Sequence, residues 1–102
     1  IGVAYKKDIN DYRESPSLKI INNFIKKKIK FDFYDPYVDS IMLLNKKIKS
    51  IKNLNRISSY DIVTLITDHT NLPYKKILSK SKILIDTRGY YAKYKNKKII
   101  FL

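Results

Sequence analysis

Short apolar runs that each end in a polar or charged loop, separated by helix-forming stretches, constrain this chain more than any other feature. IGVAY at 1–5 reads as a buried strand ending near Tyr5. FDFY at 31–34 reads as a second strand, stopped by Asp35-Pro36: the residue before a proline is pushed out of the helical region, and proline donates nothing to a ladder. DIVTLIT at 61–67, KILIDT at 82–87 and KKIIFL at 97–102 are further β-forming runs. Between the first two strands, Ser15 is placed to cap a helix with Pro16 at its first position, where the missing N–H costs nothing. Leu18, Ile21, Ile25 and Ile29 recur at helical spacing, and Lys26, Lys27 and Lys28 gather where the helix dipole favours cations, which predicts a helix from Pro16 to about Lys28. A short helix is expected over 73–79. The stretch 38–59 admits two readings, IMLL at 41–44 as the start of a helix and KKIKSI at 46–51 as a short edge strand. Strands alternating with helices at this spacing predict an α/β fold with a mostly parallel sheet of five or six strands and right-handed crossovers.

Helices on both faces of that sheet would make a Rossmann-like three-layer sandwich. The 102 residues are expected to form one domain, 1–102. Hydrophobic residues at 44% and charged residues at 30% fit a folded core rather than a disordered tail. The sequence holds no apolar run of the ~18 residues needed to span a bilayer, and IGVA is too short for the apolar region of a signal peptide. The absence of cysteine excludes disulfide and thiol chemistry within the segment and fits a cytoplasmic setting. Because the chain opens on Ile1 and runs straight into a strand, it is expected to be a piece of a longer polypeptide. A net charge of +13 would ordinarily point to nucleic acid or an anionic membrane. Only three of the 22 basic residues are arginine, however, and the other common residues are Ile, Asn and Tyr, a vocabulary like that of an AT-rich coding sequence. The lysines are therefore read as solvated surface.

In open α/β sheets, ligands bind beyond the carboxyl ends of the strands, where the strand order reverses. Tyr5-Lys6-Lys7, Asp35, Thr67-Asp68-His69 and Thr87-Arg88-Gly89 all follow strands in this way. Two of the three arginines, Arg13 and Arg88, fall in loops on the same edge, and arginine offers a planar fork for phosphate or carboxylate that lysine lacks. Pairing of Arg13 with Asp11 or Glu14 stands level with a ligand role. Asp8 and Asp11 read as loop-turn acids. His69, the lone histidine in a chain without cysteine, is a poor metal ligand and is read as a turn or packing residue rather than a catalytic one. With only Gly2 and Gly89, the chain has no G-x-G-x-x-G dinucleotide fingerprint. It has no Walker loop and no Ser-His-Asp arrangement either, so no catalytic residue is assigned.

GVAYKKDINDYRESPSLKI at 2–20 resembles the opening of the C-terminal, UDP-binding domain of the UDP-glucose/GDP-mannose dehydrogenase family. FDFYDPYV at 31–38, YDIVTLITDH at 60–69 and ILIDTRG at 83–89 agree with it in order and spacing. The wording around Ala4-Tyr5-Lys6-Lys7 is most similar to the branch acting on UDP-N-acetylhexosamines. The resemblance implies part of an NAD-dependent enzyme that oxidises the C6 alcohol of a UDP-sugar to a carboxylate for polysaccharide precursor synthesis. It also implies that a catalytic cysteine, a glycine-rich NAD domain and a central dimerising region lie upstream, that the full-length enzyme is a cytoplasmic homodimer, and that this segment alone is inactive. By motif position, Tyr5, Lys6 and Arg88 would contact the UDP-sugar, and Arg13 would reach NAD across a domain cleft. No nucleic-acid or membrane partner is expected on this reading. The rival is a free-standing basic α/β module that binds nucleic acid, which would cluster lysines with exposed aromatics on one face.

Overall fold

A computed structural model describes residues 1–102. Helix α1 spans Pro16–Lys26, with Ser15 in an extended conformation whose hydroxyl accepts the Ser17 N–H. The helix ends two residues earlier than its apolar spacing predicts, because Lys28 takes a left-handed φ of 56°. The Ile29 N–H then reaches the Phe24 carbonyl at 2.9 Å and the Lys28 N–H reaches Ile25 at 3.2 Å, the pattern of a Schellman stop with lysine where glycine is usual. Residues 38–59 resolve into strands β1 (Ser40–Leu43) and β2 (Lys46–Lys49), an antiparallel hairpin with Ile41 opposite Ile48, and a 3-10 turn at Ile57–Ser59. IMLL is thus a strand and starts no helix. Leu44 and Asn45 both take positive φ, 53° and 60°, which matches a two-residue hairpin turn.

Strands β3 (Val63–Leu65), β4 (Leu84–Asp86) and β5 (Ile99–Phe101) form a parallel sheet in that order, and helix α2 (Tyr74–Lys80) connects β3 to β4. The parallel sheet has three strands, not five or six. The 1–4 and 31–34 segments lie alongside it, held by isolated backbone bonds: Ile66 N–H to Ile1 O at 2.8 Å, Gly2 N–H to Tyr34 O at 2.8 Å, and Ile51 N–H to Phe33 O at 2.9 Å. No regular ladder forms there, because the Val3 and Ala4 amides donate to the Asp35 carboxylate at 2.8 and 2.9 Å instead of to a neighbouring strand.

One apolar cluster packs α2 through Ile77 and Leu78 on Val63, Leu65 and Leu84 of the sheet. A second packs Ile21 of α1 with Val3, Phe33, Val38 and Ile41. Gly2 sits where no side chain fits. Its φ is 87°, and a Cβ there would lie 2.6 Å from both Cβ and N of Thr67, so the first segment passes Thr67 at backbone contact. No helix is long and apolar enough to cross a membrane.

Candidate functional site

The close pass of Gly2 against Thr67 brings together three chain segments that leave the same edge of the fold. Beyond them opens a cleft of about 320 Å³ lined by Ala4, Tyr5, Lys6, Lys7, Pro16, Ile66, Thr67 and Arg88. Tyr5 and Lys6 follow the first extended segment, Thr67 follows β3, and Arg88 follows β4. Three residues expected to meet a UDP-sugar, Tyr5, Lys6 and Arg88, therefore share one cavity. The Tyr5 side is open, with that residue 48% exposed, and Lys6 Nζ lies 5.8 Å from the Tyr5 ring centroid. Pro16 places the first turn of α1 at the rim, where the positive end of the helix dipole faces the cleft. Three cationic side chains and a helix start around one cleft make an environment for a multiply charged anion.

Buried carboxylates shape this edge. The Asp35 side chain, fully buried, takes Val3 N–H, Ala4 N–H and His69 Nε2 on Oδ2, and Tyr37 N–H on Oδ1. Burial alone would raise its pKa; the bonds from Val3, His69, Ala4 and Tyr37 outweigh that and hold it below the ordinary carboxylate value. His69 is equally buried. Its Nδ1 accepts the Asp8 N–H at 2.8 Å, so its proton sits on Nε2 and is donated to Asp35 at 2.9 Å. Both ring nitrogens are thus engaged in holding the Tyr5–Asp8 loop against the Asp35 loop, a structural role. Asp8, at φ 62°, accepts from Thr70 N–H and Thr70 Oγ1, bonds that pull its pKa down and pin the same loop from the other side.

Asp86 does the same work for the second cation. It is fully buried at the end of β4 and accepts the amides of Arg88, Gly89 and Tyr91, which turns the chain back and projects the Arg88 side chain outward. Gly89 has φ 76° with open space around a notional Cβ, so the position demands a left-handed conformation and not smallness. The sequence places Lys7, Thr67 and Asp68 at the strand ends of the ligand-facing edge but gives none of them a role. Asp68 accepts from Arg88 Nε at 3.3 Å and lies 3.6 Å from Lys7 Nζ, so it bridges the two cations across the cleft. The signal was its position beside Thr67, three residues past the end of β3.

Arg13 is placed elsewhere. Its Nε and Nη2 fork onto both oxygens of Asp11 at 3.0 and 2.9 Å, its side chain is 83% exposed, and it does not line the cleft. The hydrogen bonds from Arg13 hold Asp11 at a pKa of about 2. The pairing with Asp11 is therefore realised, and Arg13 points to solvent beyond the cavity that holds Lys6 and Arg88.

Comparison with known proteins decides the kinship. The profile of the UDP-glucose/GDP-mannose dehydrogenase family, UDP binding domain, matches residues 1–93. The chain belongs to this family. It is 31% identical over 98 residues to a UDP-N-acetyl-D-mannosamine dehydrogenase of Methanococcus vannielii, covering 86% of this chain and 21% of that protein. A protein of the same name from Methanococcus aeolicus is 32% identical over 97 residues, with 86% and 21% covered. An NDP-N-acetyl-D-galactosaminuronic acid dehydrogenase of Ralstonia nicotianae is 25% identical over 95 residues, with 89% and 22% covered. The chain spans about a fifth of the length of these relatives. No solved structure matches it. Nothing in these comparisons supports the nucleic-acid alternative.

Proposed function

We propose that this chain is the UDP-sugar-binding domain of an NAD-dependent UDP-sugar 6-dehydrogenase, acting on a UDP-N-acetylhexosamine. The observation that carries the reading is the convergence of Tyr5, Lys6, Lys7 and Arg88 on one cleft, in a domain whose family profile is that of UDP binding. Lys6 and Arg88 supply charge and a fork for the diphosphate, and Tyr5 offers an exposed ring at the mouth for the base or sugar. The names of the Methanococcus and Ralstonia relatives support an N-acetylated sugar. The order of the extended segments beside β3, with the cleft between the first segment and β3, supports a Rossmann-like arrangement whose switch point is the binding site.

The residues of this chain do not fit NAD by themselves. Gly2 is closed over by Thr67 and Gly89 stands alone, so no backbone cradle for a dinucleotide pyrophosphate exists here. On our reading NAD is held mainly by another domain of a longer cytoplasmic, homodimeric enzyme that makes polysaccharide precursors. Arg13, exposed beyond the cleft, is this chain's one contribution to NAD. The bound cofactor would accept hydride from the C6 carbon; the role of the residues described here is to hold the nucleotide end of the substrate. A segment with no cysteine supplies no thiol nucleophile and turns nothing over alone.

Isothermal titration of the chain with UDP and with GDP tests the proposal. UDP binding that is lost in both Lys6→Ala and Arg88→Ala is expected. Equal binding of both nucleotides, or UDP binding indifferent to both substitutions, would overturn it.

A further inference from the structure

The cleft carries one carboxylate on its cations, and nothing in the assignment of a UDP-sugar site accounts for it. Asp68 is largely buried, its side chain 16% exposed, and it holds Arg88 Nε at 3.3 Å and Lys7 Nζ at 3.6 Å. The neighbouring acids are engaged elsewhere: Asp86 with the amides of Arg88, Gly89 and Tyr91, Asp8 with Thr70, and Asp35 with Val3, Ala4, Tyr37 and His69. Counting only the side chains that line the cleft and the carboxylate paired with them, Lys6, Lys7 and Arg88 against Asp68 sum to two net positive charges. A pyrophosphate diester, the linkage of a nucleotide sugar, carries two negative charges. A free nucleoside diphosphate carries a third once its terminal phosphate loses its last proton near pH ~6.

We propose that Asp68 sets the charge balance of the cleft and so favours the pyrophosphate diester of a nucleotide sugar over the free nucleoside diphosphate. The inference rests on the reading of the cleft as a UDP-sugar site and adds a specificity-determining residue to it. Asp68 engages only Nε of Arg88, so the terminal guanidinium nitrogens stay available to phosphate while the guanidinium is held in place. The third charge of a free diphosphate finds no unbalanced cation and meets Asp68 instead. The cleft thus releases nucleotide lacking its sugar more readily than substrate.

The test is titration calorimetry at pH 8 with UDP and with UDP-N-acetylglucosamine, on the wild-type chain, Asp68→Asn and Lys7→Gln. A unit charge a few ångströms from a ligand charge in a cleft open to water alters affinity by roughly 3–10-fold per ligand charge. Asp68→Asn should therefore gain about 3–10-fold more affinity for UDP than for the UDP-sugar, and Lys7→Gln should lose more for UDP than for the UDP-sugar. If Asp68→Asn weakens both ligands equally, or leaves their ratio unchanged, Asp68 only positions its cations and the proposal is wrong. If the wild-type chain binds neither ligand, the UDP-sugar reading itself fails, and this proposal fails with it.

Discussion

Replacing Asp35 with asparagine tests how the loop carrying Tyr5 and Lys6 is held. The carboxylate receives three donors on Oδ2 and one on Oδ1, at 2.8 to 2.9 Å. An asparagine has one accepting oxygen, so its best placement keeps Val3, Ala4 and His69 on the oxygen and turns an NH₂ against the Tyr37 N–H. One charge-assisted bond is lost, at about 1.5–3 kcal/mol, and three others become neutral. The relief of not burying a charge opposes these losses. The net cost should be about 2–4 kcal/mol, a large part of the ~5–15 kcal/mol typical of a domain. Urea unfolding should show a lower midpoint with an unchanged slope. Asp61→Asn, at an exposed position, should stay within ~0.5 kcal/mol of wild type. Acidity supplies a second readout. Because the folded pKa of Asp35 is depressed, its contribution is fully present above the unfolded value near ~3.9 and is lost as pH falls through the folded value. The gap between wild type and Asp35→Asn should accordingly close on acidification below pH ~4. An Asp35→Asn protein within ~0.5 kcal/mol of wild type at neutral pH would refute the reasoning.

Gly2→Ala places a Cβ 2.6 Å from Thr67 at a φ of 87°, so overpacking and backbone strain together should cost about 3–5 kcal/mol in thermal or urea unfolding. Gly89→Asn, at φ 76° with open space, should fold within ~1 kcal/mol of wild type, since asparagine tolerates the left-handed region. Arg88→Lys keeps the charge and loses the fork, and should weaken UDP binding about 10-fold by calorimetry. Arg13→Lys lies outside the cleft and should leave UDP affinity within about twofold; in the longer enzyme we propose, the same change should raise the KM for NAD.

The Ser15-Pro16 helix start, β3, α2, β4 and β5 were legible because each rests on a local signal: a cap, a β-branched run or a short amphipathic stretch. So was the gathering of Tyr5, Lys6 and Arg88, which needs only the rule that ligands meet strand ends. What escaped depends on contacts distant in sequence or on conformations a residue type does not advertise. The amides of Val3 and Ala4 are diverted to a side chain 32 and 31 residues away, which removes a ladder that the apolar pattern predicts. Lys28, Leu44 and Asn45 adopt positive φ without glycine, so neither the end of α1 nor the hairpin turn carries the usual mark. Asp68 gains its meaning only when Lys7 and Arg88 arrive from two other segments. For Arg13 the sequence left pairing and ligand contact level, and the fork onto Asp11 is a contact between near neighbours that was among those weighed.

The central claim, that UDP occupies the cleft between the first extended segment and β3, is tested most directly by titrating the isotope-labelled chain with UDP and following backbone amide shifts by NMR. The account predicts saturable shifts at Tyr5, Lys6, Lys7, Thr67 and Arg88, with Arg13 and the hairpin tip at Leu44-Asn45 unmoved. Shifts confined to the lysine-rich stretches at 26–30 and 93–98, fading together as salt is raised, would contradict it and mark the binding as nonspecific attraction of an anion to a basic surface.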